Sequence, residues 1–265
     1  MGKRTGGLLC VLLLALLPAG CQFIRIEEGE RTPLEYTIVK QEEIPAEASK
    51  LMEQKKEKVT MIALGGGSGS GKTTIVKRLL KEFPEASFFS YDSYYKSFPE
   101  MPFEKRCELN FDDPAILDEE LFKKHLRMIR EGNEIHVPVY DFPLHLRKEG
   151  VFTTIKPSKL VFVDGVLIYT LPDAKSFFDY CIYVDCDADI RLARRILRDS
   201  EERGRTPRSV IEQYLSTVKP MHQKYVEKGR YLADYIYLNS SNDGLEEKEV
   251  QVLLNKLKEV IGNDH

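Results

Sequence analysis

The 265-residue chain has no tryptophan, an absence that decides nothing about its fold, and only five cysteines. Cys10, Cys21, Cys107, Cys181 and Cys186 form no C-x-x-C pair and no Cys/His grouping with zinc spacing. That excludes a zinc-ribbon framework and a disulfide-stapled fold, and leaves scattered, reduced and mostly buried thiols. Charge of one sign is also missing. Lys and Arg number 39 against 42 Asp and Glu, a formal net charge of −3, so no general attraction to nucleic acid or anionic membranes exists. Internal repeats and low-complexity tracts are absent as well. What remains is an ordinary globular composition, 42% hydrophobic and 31% charged. It suits one large core-forming domain, or a domain with an appendage.

The N-terminal segment stands apart. Lys3 and Arg4 precede the ten-residue apolar run Leu8 to Leu17, and Ala19 and Gly20 lead into Cys21. The run is shorter than the about 20 residues that a bilayer-spanning helix needs, but it fits the apolar region of an export signal. "PAGC" resembles a bacterial lipoprotein cleavage box with Cys21 as the acylated residue, although Pro18 stands where that pattern usually has Leu. Residues 1–21 therefore read as a signal or lipoprotein-like leader, with membrane attachment only if the leader is processed and Cys21 lipidated. The blander alternative is a buried or frayed apolar helix, which lacks an amphipathic pattern. Residues 22–58 read as a polar linker or a remnant of a small secreted domain, with "EYTIVK" as a short strand and a charged helix opened by Pro45.

From Val59 onward strands and helices alternate. "VTMIAL" is a continuous apolar run, as in a strand buried on both faces. "ASFFSYD", "KLVFVDG", "YCIYVDC" and "DYIYLNS" are four further strands separated by helical segments. That order predicts a three-layer α/β sandwich around a five-stranded parallel sheet over residues 59–265. "EIHVPVYDF" and "VFTTIKP" read as an inserted antiparallel hairpin. Asp113-Pro114 and Thr206-Pro207 are helix starts, with Gly132 past one helix end. Lys219-Pro220 should kink or divide a long helix.

Gly66-x-x-x-x-Gly71-Lys72-Thr73 is a complete phosphate-binding loop between a buried strand and an amphipathic helix. Backbone N–H groups of Gly66, Gly67, Ser68, Gly69, Ser70, Gly71 and Thr74 are candidates to surround phosphate oxygens, helped by the helix dipole. Lys72 would reach the β and γ phosphates, and the Thr73 hydroxyl would take a Mg²⁺ position. A flexible glycine linker is the bland reading, and the strand–loop–helix context disfavours it. Asp92 and Asp164 fall at strand ends, where open α/β sheets bind ligands. Asp164 is the expected acidic partner of Mg²⁺, with Asp92 beside the metal and placed to accept a proton from an attacking hydroxyl. Either could instead be a turn or cap residue.

"DIRLARRILRDSEERGRTPR" carries seven arginines. Arg191, Arg194, Arg195 and Arg198 follow at i, i+3, i+4 and i+7 on one helix face, with Leu192 and Ile196 as a core-facing stripe. Stacked like charges need an anion, and a triphosphate is one. Arg195 and Arg205 are catalytic candidates, Arg198 and Arg203 nucleotide contacts, and Gly204 permits a mobile lid. Some of the seven would simply be a solvated basic face paired with Asp199, Glu201 and Glu202.

In order, "GGSGSGKTT", "YDSYY", "LNFDDPAILD", "PVYDF…H.R" (ending at His145 and Arg147), "VFVDGVL", "RLARRILRD..ERGR" and "QYLSTVKPMHQKYVE" resemble the uridine/cytidine kinase family of P-loop kinases, from about Thr60 to Asn239. The resemblance implies transfer of the γ-phosphoryl group of ATP or GTP, with Mg²⁺, to the 5′-hydroxyl of uridine or cytidine in pyrimidine salvage. It further implies Asp92 as catalytic base with Tyr95 beside it, and Asp112 as the acceptor of the ribose diol. Tyr140 and His145 would contact the pyrimidine, Arg195 and Arg205 the phosphate and ribose, and Gln213 the sugar side. Asp113 is better read as a helix cap. Departures are Asp164, where the family usually has Glu, Asp113, where His is common, and Pro143, Leu144 and Leu146 around His145. The last group falls in the base-binding loop.

Two other readings stay open. One is a related kinase with a non-nucleoside hydroxyl acceptor, as in the phosphoribulokinase and pantothenate kinase groups. The other is a non-catalytic, membrane-anchored nucleotide-binding lipoprotein, disfavoured because a pure binder needs no base. No nucleic-acid partner is expected, and a homo-oligomer is open. Use of ATP places the enzyme in the cytoplasm, against the export reading of residues 1–21. A gene fusion, a mistaken start (Met52 gives a short lead into the first strand) or an anchored kinase would each reconcile the two.

Overall fold

The computed structural model describes residues 11–17, 20–26, 37–39, 58–241 and 244–262, with side chains in the last two ranges. The chain divides into two units, Met1–Lys56 and Glu57–His265. The first holds β1 (Val11–Leu17), β2 (Gly20–Ile26) and β3 (Thr37–Val39), antiparallel in the order β1-β2-β3. β1 takes up most of the apolar run, Cys21 lies in β2, and β3 falls within the expected "EYTIVK" strand. The charged helix expected from Pro45 lies outside the described residues.

The second unit carries β4 (Thr60–Gly65), β5 (Ser87–Ser90), β6 (Ile135–Asp141), β7 (Leu146–Ile155), β8 (Leu160–Gly165), β9 (Tyr180–Asp185) and β10 (Tyr235–Leu238). Five of them form a parallel sheet in the order β10-β9-β4-β8-β5. The helices are α1 (Lys72–Glu82), α2 (Phe103–Cys107), α3 (Glu119–Arg130), α4 (Ala188–Arg203), α5 (Pro207–Gln213) and α6 (Glu247–Gly262). Side chains alternate across the sheet. Met61, Ala63, Val161 and Val163 pack against Phe122, Leu126 and Ile129 of α3. Ile62, Leu64, Phe162 and Ile182 pack against Ile75, Val76 and Leu79 of α1 and Leu253, Leu254 and Leu257 of α6. The result is three layers, with β4 central and every one of its residues buried. Its neighbours β8 and β9 both come later in the chain, so the connections after β4 open a crevice at its carboxyl end.

Four local readings need correction. Asp113 caps only the single 3₁₀ turn Pro114–Ile116, accepting from Ala115 N at 2.9 Å. The full helix starts at α3, whose cap is Asp118 accepting from Leu121 N at 3.2 Å. Pro220 does not divide its helix: right-handed helical backbone runs on through it, with wider π-helical turns at Tyr214–Val218 and His222–Val226. Wider turns on each side absorb the hydrogen bond that proline cannot make. Leu192 and Ile196 join neither apolar cluster; α4 buries Arg191, Arg195 and Asp199 instead. Finally, β7 begins at Leu146, ahead of the "VFTTIKP" stretch. After a half-buried Leu146 and Arg147 its first half is polar and exposed, so no alternation announces it. In the β6–β7 pair the register shifts between Pro138 and Tyr140, pairing Tyr140 with Arg147.

Candidate active site

A cleft of about 690 Å³ lies at the carboxyl ends of the central strands. On one side is the loop between β4 and α1. Gly66 and Gly69 have φ of +142° and +80°, a region that side chains rarely adopt, and a Cβ on them would collide with the carbonyls of Val184 and Arg191. These glycines let the loop lie tight against its neighbours. Lys72 Nζ donates to Gly66 O at 2.9 Å and Gly67 O at 3.1 Å, and Asn239 Nδ2 pins the loop from outside by donating to Ser70 O at 2.7 Å. Burial lowers the Lys72 pKa, while the charges of Asp92 and Asp164 oppose the shift. Ser68, Gly69, Gly71, Thr73 and Thr74 face the cleft, whereas the Ser70 hydroxyl is buried away from it without a partner.

Asp164, next to last in β8, is buried under this loop. Thr73 Oγ1 donates to its Oδ2 at 3.2 Å, and its Oδ1 is buried with no hydrogen-bond partner. Burial, then the neighbouring charge of Asp92, pushes its pKa up to about 6. An orphaned carboxylate oxygen beside a threonine hydroxyl is a hard oxygen pair of the kind Mg²⁺ takes, so the residues fit that ion. The shorter Asp side chain still meets Thr73. Asp92 follows β5 in the 3₁₀ turn Tyr91–Tyr94 and lines the cleft. Its Oδ1 accepts from Val166 N at 3.1 Å, just past Asp164, which brings the two carboxylates close enough to raise one pKa.

The far half of the cleft is aromatic. The Tyr95 ring sits 5.2 Å from Tyr140 and 5.6 Å from Phe111, and its hydroxyl donates to Phe111 O at 3.1 Å. His145, with φ of +51°, stacks on Phe111 at 4.6 Å, and burial lowers its pKa. Tyr140 OH is buried without a partner. Asp112 lines the same space; burial raises its pKa, Arg195 opposes that, and Thr217 Oγ1 lies 3.5 Å from its Oδ2.

The arginines form the third wall, and they divide. Arg195 donates to Ser68 Oγ at 2.9 Å and to Gln213 Oε1 at 2.8 Å, so α4 and α5 are tied to the phosphate-binding loop. Arg205 also donates to Gln213 Oε1. Arg198 and Arg203 line the cleft, and Arg203 lies 4.7 Å over the Phe142 ring, on the aromatic side. Arg194 instead donates to Asn239 O at 3.1 Å and Ser241 O at 2.6 Å, a fastening for the chain after β10. Arg208 is exposed beside Glu212. Asp199 was expected as a solvated partner, but it is completely buried, with Arg195, Arg198, Arg203 and Arg205 all within 4.0 Å. Its place four residues after Arg195 on the buried face is the signal that could have found it. Phe111 and Phe103, the rings beside His145, carried no chemical signal.

A sequence profile of the Phosphoribulokinase / Uridine kinase family matches residues 61–242. The chain belongs to that family. It is 45% identical over 178 residues to a uridine kinase of Clostridium botulinum (strain Kyoto / Type A2), covering 66% of this chain and 86% of that one. A uridine kinase of Clostridium perfringens (strain 13 / Type A) is 40% identical over 203 residues, covering 76% and 96%. Among solved structures, phosphoribulokinase from Rhodobacter spheroides superposes with a TM-score of 0.52 at 15% identity, over 68% of this chain and 70% of that one. That likeness supports the family's three-layer fold. Beyond the fold, the family sequences and the geometry here carry the argument. Cys107, Cys181 and Cys186 are free thiols, and no helix among the described residues is long and apolar enough to cross a membrane.

Proposed function

We propose that this chain transfers the γ-phosphoryl group of ATP or GTP to the 5′-hydroxyl of uridine or cytidine, giving UMP or CMP. One observation carries the reading. A glycine-built phosphate cradle, the Thr73 hydroxyl and the carboxylate of Asp92 line one cleft with an aromatic-walled chamber, and Asp164 lies buried just behind Thr73, bonded to its hydroxyl. Relatives that match most of the chain are named uridine kinases, which favours a nucleoside over other hydroxyl acceptors.

In this reading, Lys72 and the loop amides hold the donor's phosphates. Thr73 and Asp164 would hold Mg²⁺, which when bound would supply positive charge beside the transferred group. Asp92 orients the 5′-hydroxyl and takes its proton. Arg195 and Arg205, pre-set by Gln213, stabilise the transferred group without reorganising. Tyr95 and Tyr140 enclose the base, His145 reads its edge as a neutral imidazole, and Asp112 accepts from the ribose hydroxyls. Donor chemistry places the activity where ATP is abundant. Mass spectrometry of the native N-terminus tests the leader, because a mature chain starting at lipid-modified Cys21 would contradict a cytoplasmic enzyme.

The deciding experiment measures ADP release with uridine present. Asp92→Asn should keep ATP binding and lose about 10²–10⁴-fold in turnover, the usual contribution of a positioned base. Undiminished turnover defeats the mechanism. A panel of hydroxyl acceptors tests the substrate class, and preference for a non-nucleoside would refute the pyrimidine assignment.

A further inference from the structure

Arg147 is outside the cleft lining, yet it touches both halves of the acceptor site. It stands on β7 directly opposite Tyr140 on β6. Its guanidinium leaves the hairpin and grips the segment that follows Asp92. Nε donates to Tyr95 O at 2.7 Å, and Nη2 donates to Tyr94 O at 2.9 Å. Nη1 and Nη2 each donate to Asp118 Oδ2 at 3.1 Å, and the Arg147 backbone N–H donates to Ser97 Oγ at 3.3 Å. Asp118 closes the loop, since its own N–H donates to Tyr94 O at 2.8 Å. Its other carboxylate oxygen caps α3.

These bonds connect parts that belong to different layers of the fold. The hairpin stands off the main sheet and carries Tyr140 and His145. The Tyr91–Tyr94 turn continues β5 and carries Asp92. Besides Arg147, the hairpin meets the turn and the segment after it through apolar and ring packing, with Ile135, Val137 and Tyr140 buried in one cluster with Tyr91, Tyr94 and Tyr95, contacts that carry no directional bond and permit sliding. A planar guanidinium with a fixed fork of donors does not permit it. Bonding two consecutive backbone carbonyls and a carboxylate at once fixes both distance and rotation. A lysine ammonium, a point charge on a flexible stem, cannot reproduce that set.

We propose that Arg147 is a positioning residue that sets the distance between Asp92 and the acceptor hydroxyl by locking the nucleoside-holding hairpin to the turn bearing the base. The inference rests on the acceptor reading above. Donor binding is separate from this lock, because Lys72, Thr73 and Asp164 make no contact with Arg147. Misplacement of a reacting group by about 1 Å costs about 10²-fold in rate, so loss of the lock should show in turnover and leave donor binding alone.

The test compares wild type, Arg147→Lys, Arg147→Gln and Asp118→Asn, below the melting temperature of each, with uridine as acceptor. Asparagine at 118 keeps the α3 cap and leaves the two carbonyl bonds of Arg147 in place. Expected is a fall in kcat of about 10²-fold in both Arg147 variants. The KM for ATP should stay within about threefold of wild type, and kcat of Asp118→Asn, which keeps both carbonyl bonds of Arg147, should fall less than in either Arg147 variant. Equal kcat in wild type and Arg147→Lys overturns the proposal. So does a parallel loss of ATP affinity and melting temperature in all three variants, or failure of both Arg147 variants to fold, since each marks a purely structural residue. A wild-type protein that phosphorylates no nucleoside would instead sink the acceptor reading, and is read from the first arm alone.

Discussion

Helices α1 and α4 both start at the carboxyl edge of the sheet, both border the cleft, and both show a clear helical period. What they bury differs. Past its first residue, Lys72, α1 buries Ile75, Val76 and Leu79 against the sheet. α4 buries Arg191, Arg195 and Asp199, while Leu197 is exposed. An apolar stripe returns transfer free energy, roughly 1.5–3 kcal/mol for each large side chain. A buried charge returns little and often costs stability, even when paired. The difference therefore separates a helix whose inner face holds the fold from one whose inner face is charged, as the proposed contact with a phosphate anion requires. Asp199 makes the second arrangement tolerable by lying among four guanidinium groups.

The largest expected effect comes from removing function while sparing stability. Arg195→Met should lower turnover by about 10³-fold, about 4 kcal/mol of transition-state stabilisation, while the melting temperature falls only modestly, because the buried Asp199 keeps Arg198, Arg203 and Arg205 within 4.0 Å. Steady-state kinetics with thermal melting checks both halves, and a stability loss without a rate loss would reverse the roles of the two helices. The mirror variant, Leu79→Ala, should cost about 2–5 kcal/mol of stability through the cavity it leaves. Its turnover per folded molecule should match wild type, as urea titration and assay together would show.

A smaller effect concerns pH. Asp164 has an ordinary value of 3.8 and is raised to about 6 in the fold. A raised acid binds its proton more tightly when folded. Its contribution to stability is thus present below 3.8 and lost as pH rises through about 6. Metal binding needs the ionised form, so Mg²⁺-dependent nucleotide affinity should fall as pH drops below about 6, by about tenfold per unit at most for one proton. Asp164→Asn should flatten both dependences, which calorimetry at pH 5 and 7 would detect. An unchanged slope in that variant would remove Asp164 from the metal site.

Much of this was legible because it depends on backbone periodicity and on residue types with few uses. Apolar runs marked all five parallel strands, although only β4 and β8 are buried throughout, and the glycine pattern of residues 66–73 located the cradle. Fixed chain order then put Asp92 and Asp164 at neighbouring strand ends. Less legible was anything decided by which face a side chain turns to. Arg194 and Arg195 are adjacent in an arginine-rich stretch and both border the cleft, yet the first is spent on fastening the chain after β10 while the second bonds the phosphate-binding loop. Leu192 and Ile196 followed a sound rule, that apolar residues face inward, and lost to a buried charge cluster. Arg147 stood in the family-like stretch that runs through His145, but nothing there told its role, because its partners are mostly main-chain carbonyls, which leave no mark in a sequence.

The register shift between Pro138 and Tyr140 has a consequence for how the hairpin tolerates change. Strand residues alternate sides, so parity there decides whether the ring of Tyr140 enters the chamber or points to solvent. Losing or gaining a single residue on the inner side of the shift would turn that ring outward and move Arg147 out of step with it. Toward the Ile135–Ile155 end, Val151 and Phe152 are exposed and answer to no such parity. Related chains should therefore keep the spacing from Tyr140 to Arg147 constant while residues around 151 and 152 drift.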